Sequence, residues 1–259
     1  LDAGGVAKAL GELAGVFALE ILPECDSTNS RLLDNPPPDD GRVHVLAAER
    51  QTAGRGRRGR VWQSWPGAGL TFSVLWRFAP AAHVPAGLSL VVGLAVARTL
   101  EELGVEGVAL KWPNDVLIQG KKLGGILVEL SSGRGRGLAA VIGIGINLRM
   151  PADAAVDYPT GVIDLASCLA SPPSPSRLLG LVLAQLQRFL EIYASAGFTA
   201  LRGAWQQRNA FADLPVRILG EAHELTGTCA GVDDDGALLL QTAEGLRRVL
   251  SGDVSLRLA

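Results

Sequence analysis

Four arginines and three glycines fall within seven residues, Gly54-Arg55-Gly56-Arg57-Arg58-Gly59-Arg60, entered through Gln51-Thr52-Ala53 and left through Val61-Trp62. The segment has no apolar side chain to bury, so by itself it is expected to be mobile until a partner arrives. Its chemistry points to an anion. Guanidinium groups stay charged and offer forked donors to phosphate or carboxylate, and glycine lets main-chain N–H groups approach the same oxygens. A second concentration of charge lies downstream. Arginine outnumbers lysine twenty to four, yet Lys111, Lys121 and Lys122 fall within twelve residues, which suggests a site that needs an ammonium rather than a guanidinium. The third candidate is Cys25-Asp26-Ser27-Thr28-Asn29-Ser30. Read plainly, Asp26 or Ser27 caps a helix; read functionally, hydroxyls and an amide at a strand-to-helix turn pair with a neutral polar ligand. The two readings are compatible.

These residues need a scaffold, and the hydrophobic pattern outlines one. Residues 5 to 15 read as a short helix and Val16 to Leu22 as a strand ended by Pro23. His44 to Glu49 reads as the strand that delivers Gln51 and the arginine-rich loop. Leu70, Phe72, Val74 and Trp76 alternate with Thr71 and Ser73, the pattern of a half-buried strand, and Leu88 to Leu103 reads as a helix buried against a sheet. Val108 to Trp112, Val116 to Ile118, Leu123 to Leu130 and Leu138 to Ile146 follow as strands joined by tight turns, which implies antiparallel pairing. Arg149 to Pro175 is irregular, with one helical turn near Asp164 to Leu169. Ser176 to Ala194 is an amphipathic helix capped by Ser174 or Ser176, and Phe198 to Asn209 is another. From Asp213 the texture changes to five short strands, so the expected organisation is a large α+β domain over 1–212 and a small β-barrel over 213–259. Asp233-Asp234-Asp235-Gly236 lacks the spacing of a calcium loop and reads as a hairpin turn.

Bulk properties narrow the function. A formal charge of −2 and a pI near 6.0 give no global attraction to nucleic acid or an anionic membrane, so the arginine cluster is a local feature. Cys25, Cys168 and Cys229 have neither metal nor redox spacing and suit reduced thiols in a cytosolic protein. No secretory signal or membrane-length apolar run is apparent. There is no phosphate-binding Walker motif, no G-x-S-x-G, and no histidine pair at metal-ligand spacing among His44, His83 and His223. What remains is catalysis by positioning and charge neutralisation, with Gln51, Arg55, Arg57, Arg58, Lys111, Asn114, Asp115 and Lys122 as candidates. Singly, Asn114-Asp115 is a turn, Gly124-Gly125 a strand kink, and the arginine loop a solvated or RNA-binding segment.

Five motifs together change that balance: Ser27-Thr28-Asn29, Gln51 through Arg60, Lys111-Trp112-Pro113-Asn114-Asp115, Lys122-Leu123-Gly124-Gly125-Ile126-Leu127-Val128-Glu129, and Gly143-Ile144-Gly145-Ile146-Asn147. In this order they resemble the catalytic and C-terminal domains of bacterial biotin protein ligases over nearly the whole chain. The resemblance implies a mixed, largely antiparallel sheet with packed helices and an SH3-like barrel. It implies ATP-dependent activation of biotin to biotinyl-5′-AMP, with Mg²⁺, and transfer to a lysine of a biotin carboxyl carrier protein. It assigns biotin to Ser27, Thr28, Asn29, Gln51, Gly54, Arg55, Gly56, Arg57 and Lys122. Nucleotide goes to Arg57, Arg58, Trp62, Lys111, Asn114 and Asn147. Lys122, Arg57 and Lys111 are implied to be catalytic, and Asp115 to hold metal, the roles of Lys111 and Asp115 in nucleotide, metal or transfer chemistry being undivided. Arg55 to Arg57 are implied to order over ligand.

With Ser27-Thr28-Asn29 so near the start, no DNA-reading domain is expected, so the reading is a monofunctional cytoplasmic ligase, monomer or homodimer, without DNA or membrane partners. The family's occasional adenine-covering aromatic near the C-terminus is replaced by Arg247-Arg248-Val249-Leu250. Lipoate-type ligases share the fold but not the combined motifs; a non-enzymatic RNA-binding protein using the Arg-Gly segment is the alternative of another class.

Overall fold

The computed structural model describes residues 1–79, 86–132, 138–156, 158–220, 224–251 and 255–259. The expected turn over Ser131 to Gly137, the Gly252-Asp253 turn, Glu221, His83 and His223 fall wholly or partly outside those residues. Helix α1 (Ala3–Leu10) leads into strand β1 (Phe17–Cys25), which runs through Pro23 rather than ending there. The reason is position: β1 is the edge of its sheet and Pro23 takes no place in the register with the next strand, so the missing N–H costs no ladder bond. Helix α2 (Thr28–Asp34) crosses over to β2 (Val43–Gln51), which makes β1 and β2 a parallel pair.

After β2 come β3 (Gly69–Arg77), α3 (Leu88–Glu102), β4 (Val108–Lys111), β5 (Asp115–Ile118), β6 (Lys121–Ser132) and β7 (Leu138–Asn147). The strands form one sheet in the order β1-β2-β3-β7-β6-β5-β4, antiparallel everywhere except at β1/β2. α3, α4 (Pro175–Ala196) and α5 (Thr199–Gln206) contribute Leu94, Leu183 and Trp205 to a core on one face. On the other face Leu32 of α2 packs with Leu46, Leu75 and Val141. β3 is therefore buried on both sides rather than half-buried, because Thr71 and Ser73 meet this second layer and the polar site beside it instead of water.

Ser174 caps α4, accepting from Arg177 N at 3.2 Å. Beyond α5, β8 (Pro215–Leu219), β9 (Glu224–Val232), β10 (Leu238–Thr242), β11 (Gly245–Val249) and β12 (Ser255–Leu258) form an antiparallel sheet in the order β11-β10-β9-β8-β12, the small SH3-like unit. The three aspartates do make the β9–β10 turn: Asp233 Oδ1 accepts from Asp235 N at 3.0 Å and Ala237 N at 2.9 Å. The turn's last residue meets the large sheet. Trp112, 1% exposed, donates from Nε1 to Gly236 O at 3.0 Å. No side chain fits at Gly236, whose Cβ would lie 2.7 Å from Gly87 Cα and whose φ is +77°.

Trp112→Phe retains most of the buried ring but leaves the Gly236 carbonyl without its donor. It should lower stability by about 1–3 kcal/mol, read as a lower urea midpoint; an unchanged midpoint would mean this bond does not help fasten the two sheets.

Candidate active site

The site is laid on a floor that the alternation of β7 creates. Ile142, Ile144 and Ile146 turn to the core, all under 5% exposed, so Gly143, Gly145 and Asn147 share the opposite face. Missing side chains bring two neighbours onto the strand: a Cβ at Gly143 would lie 2.3 Å from Asn29 Oδ1, and one at Gly145 would lie 2.4 Å from the Trp62 ring. At the far end Asn147 Nδ2 donates to Lys122 O at 3.3 Å and to Ile163 O at 3.1 Å. Two residues of strand advance ~6.6 Å, so the floor from Gly143 to Asn147 is ~13 Å long. One end is an uncharged polar recess and the other is cationic.

A β-bulge brings in the principal cation. Val116 pairs with Gly124 but Leu117 pairs with Lys122, so Leu123 is one residue too many for β5. Strict alternation would set Lys122 with Gly124 and Ile126, on the core side. The extra residue instead puts it beside Gly125, where a Cβ would be 3.2 Å from Lys122 Nζ, and Leu123 itself is fully buried. The irregularity expected at Gly124-Gly125 thus sits one residue earlier.

Lys122 Nζ lies 2.6 Å from Asp115 Oδ1, and Lys111 Nζ is 3.9 Å from Asp115 Oδ2. Between the lysines stands Tyr158, which donates to Asp115 Oδ2 at 2.9 Å and accepts from Lys111 Nζ at 3.0 Å, with both ammonium groups about 5 Å from its ring centroid. Desolvation lowers the pKa of Lys111 to about 8, with Asp115 only partly countering it. Burial would raise Asp115, but Lys122 and Lys111 outweigh it and hold the carboxyl below its usual value. Burial and then the Asp115 charge push Tyr158 up, so it stays protonated as a donor. Sequence reasoning missed Tyr158, which belongs to no motif and lies in the irregular stretch; its only signal was rarity, as one of two tyrosines.

At the polar end, Ser27 caps α2, its Oγ accepting from Ser30 N at 3.4 Å. Gln51, opposite Cys25 at the end of the parallel pair, accepts from Thr28 N at 2.7 Å and Thr28 Oγ1 at 3.1 Å. Its carbonyl being engaged, the amide nitrogen is the donor it can offer a ligand. Thr28 Oγ1 is 2.6 Å from Ser73 Oγ, which donates to Asn29 Oδ1 at 2.6 Å.

The arginine-rich loop closes over the floor with main-chain bonds of its own. Trp62 N donates to Gly54 O at 2.9 Å and Gly56 N to Arg60 O at 2.7 Å, with Arg58 (φ +59°) and Gly59 (φ +68°) making the turn. Arg57 Nη2 donates to Ser251 O at 2.5 Å and its Nη1 to Asn114 Oδ1 at 3.4 Å, while Arg58 Nη1 reaches Leu219 O at 3.5 Å. Asn114 Nδ2 in turn donates to Ile126 O at 2.8 Å.

The cavity, partly open to solvent, measures about 160 Å³, room for more than one water. Of the residues expected to form the site, Ser27, Thr28, Asn29, Gln51, Arg55, Gly56, Arg57, Arg58, Trp62, Lys111, Asn114, Asp115, Lys122 and Asn147 all line it. Gly54 does not; it is buried beneath, where a Cβ would be 2.4 Å from Trp62 O. Met150, Val156, Val162 and Leu256, unforeseen from sequence, add apolar surface. Six cationic side chains line the space against a single carboxylate, Asp115, among the described residues. The arrangement suits a ligand with an uncharged polar head, an apolar middle over Trp62, and an anionic end.

Residues 23–147 match the Biotin/lipoate A/B protein ligase family and residues 215–257 the biotin protein ligase C-terminal domain. The bifunctional ligase/repressor BirA of Escherichia coli is 37% identical over 97% of this chain and 78% of its own length. The biotin–[acetyl-CoA-carboxylase] ligase of Paracoccus denitrificans is 36% identical over 90% of this chain and 98% of its own. Biotin protein ligase from Aquifex aeolicus, solved in complex with biotin and ATP, superposes with a TM-score of 0.80 at 34% identity, covering 93% of this chain and 99% of that one. With both relatives above 30% identity over nearly all of this sequence, the chain belongs to the biotin protein ligase family.

Proposed function

We propose that the chain condenses biotin with ATP and passes the biotinyl group to a lysine of a biotin carboxyl carrier protein. The observation that carries this reading is the single cavity joining an uncharged polar recess at Thr28 and Gln51 to a cationic end at Lys111 and Lys122. In the first half-reaction a carboxylate oxygen attacks the α-phosphorus, a new O–P bond forms, and the bond to pyrophosphate breaks. Two anions must approach, and the cations of the wall, Lys122 and Lys111 foremost, offset their repulsion. In the second, the neutral amine of the carrier lysine attacks the acyl carbon, loses a proton, and AMP departs.

Ser27, Thr28 and Gln51 are assigned to the biotin head, and Trp62, lying on Gly145, to its apolar body. Lys122 is assigned to the junction of carboxylate and α-phosphate, where exchanging Asp115 for the incoming anion keeps it paired. Lys111, Arg57, Arg58, Asn114 and Asn147 fall to the nucleotide side. Tyr158, with Val156 and Val162, is the aromatic and apolar surface available to the adenine end, in place of one near Arg248. Among the described residues no three His, Cys, Asp or Glu side chains converge, and Asp115 is already hydrogen-bonded. A magnesium ion accompanying ATP would find one protein carboxylate in the cavity, Asp115, and would supply charge neutralisation at the phosphates. The arginine loop is drawn onto the protein through Ser251 and Asn114 rather than spread outward, which disfavours the RNA-binding alternative. Among the described residues no helix is long and apolar enough to cross a membrane.

Lys122→Ala should abolish biotinyl-5′-AMP formation, followed by pyrophosphate release, while leaving biotin bound at the polar end; turnover at the wild-type rate would remove Lys122 from the reaction. Lys111 supplies a pH test. It is an ammonium below about 8 and neutral above, so kcat/KM for ATP, which reports the free enzyme, should fall as pH rises through about 8. Lys111→Arg, charged throughout, should flatten that limb; an identical limb in the variant would assign it to another group.

A further inference from the structure

Glu129 closes the Lys122-to-Glu129 motif. It lies on the site-facing side of β6 with Gly125 and Leu127, at the end remote from Lys122. A single oxygen, Oε2, accepts from two directions: Asn29 Nδ2 at 2.9 Å, and Arg55 Nη2 in a close ion pair. Asn29 is fixed before it meets Glu129. Its Nδ2 also donates to Leu127 O at 3.3 Å, its Oδ1 accepts from Ser73 at 2.6 Å, and its amide rests on Gly143 where no Cβ fits. Every polar atom of this side chain thus has a protein partner, so Asn29 is better placed to orient a carboxylate than to bind a ligand.

The consequence falls on the loop. Arg55 opens the Gly54-to-Trp62 hairpin and forms its closing bridge with Val61, so whatever holds Arg55 sets the angle at which the hairpin lies across the floor. Arg57 and Arg58 are carried on its tip. We propose that Glu129 is a positioning residue: braced by Asn29, it anchors Arg55 and thereby keeps the arginine loop closed over the cavity. Glu129 does not line the cavity. It acts on the reaction only through the loop, by delaying escape of the acyl-adenylate, and that part rests on the function proposed above.

The test combines ligand-free and ligand-bound arms. Arg57 is half-buried and bonded to Ser251 O and Asn114 Oδ1 in the closed loop, so trypsin cleavage after Arg57 follows the open population. In the free full-length chain, Glu129→Gln should raise that cleavage rate about fivefold, as should Arg55→Gln. The double variant should be no faster than either single, since both remove one link. Dissociation of preformed acyl-adenylate should quicken about fivefold in Glu129→Gln, with the melting temperature unchanged because the pair is half-exposed. Wild-type cleavage in a folded Glu129→Gln, or singles whose effects multiply in the double variant, would overturn the proposal; should Glu129→Gln fail to fold, wild-type cleavage in Arg55→Gln does so equally. If the wild-type chain forms no adenylate, the functional reading falls, and the ligand-free cleavage still decides for or against Glu129.

Discussion

A carboxylate largely withdrawn from water has to be answered by positive charge, and Asp115 imposes that demand on three separate stretches of chain. Lys122 comes from β6, Lys111 from β4, and the Tyr158 hydroxyl from the irregular segment after β7. An ion pair of this kind is a poor stabiliser, because the desolvation of both partners offsets most of their attraction. Its value is arrangement: two ammonium groups are held about 5 Å from one phenol ring, poised for a ligand with more negative charge than a single carboxylate can offer. Pre-aligned charge needs no reorganisation when the ligand arrives, which is where electrostatic catalysis gains most.

That arrangement depends on β6 departing from regularity at one point. Glycine on β7 and the bulge at Leu123 are complementary devices: the first removes side chains from the floor, the second turns a lysine onto it. Together they allow a sheet whose other face is an aliphatic core to carry a polar, highly charged site without a loop long enough to be floppy.

Much of this was legible beforehand. The strand over Leu138 to Ile146, the apolar α3 and the hairpin at Asp233 are all local patterns, and each formed as its residues imply, while of the paired cap candidates Ser27 and Ser174 serve rather than Asp26 and Ser176. The candidate residues gathered because family motifs record which loops meet, something spacing cannot state. What escaped depends on neighbours distant in sequence. The bulge is a fact about the register of two strands, the burial of β3 about a layer on its second face, and the passage of β1 through Pro23 about lying at an edge. Tyr158 escaped for the same reason, since only the fold sets it between Lys111 and Asp115.

Three of the contacts between the small sheet and the rest share a property. Arg57 bonds to the carbonyl of Ser251, Arg58 to that of Leu219, and Trp112 to that of Gly236. In these three the acceptor is main chain, whereas Arg202 pairs with the Asp234 carboxylate. At Leu219, Gly236 and Ser251 the large domain therefore meets the path of the small one rather than its side chains, so residues 219 and 251 can change type while an insertion or deletion there would move the carbonyl. Sequence divergence at those positions between relatives would conceal an interface that is geometrically fixed.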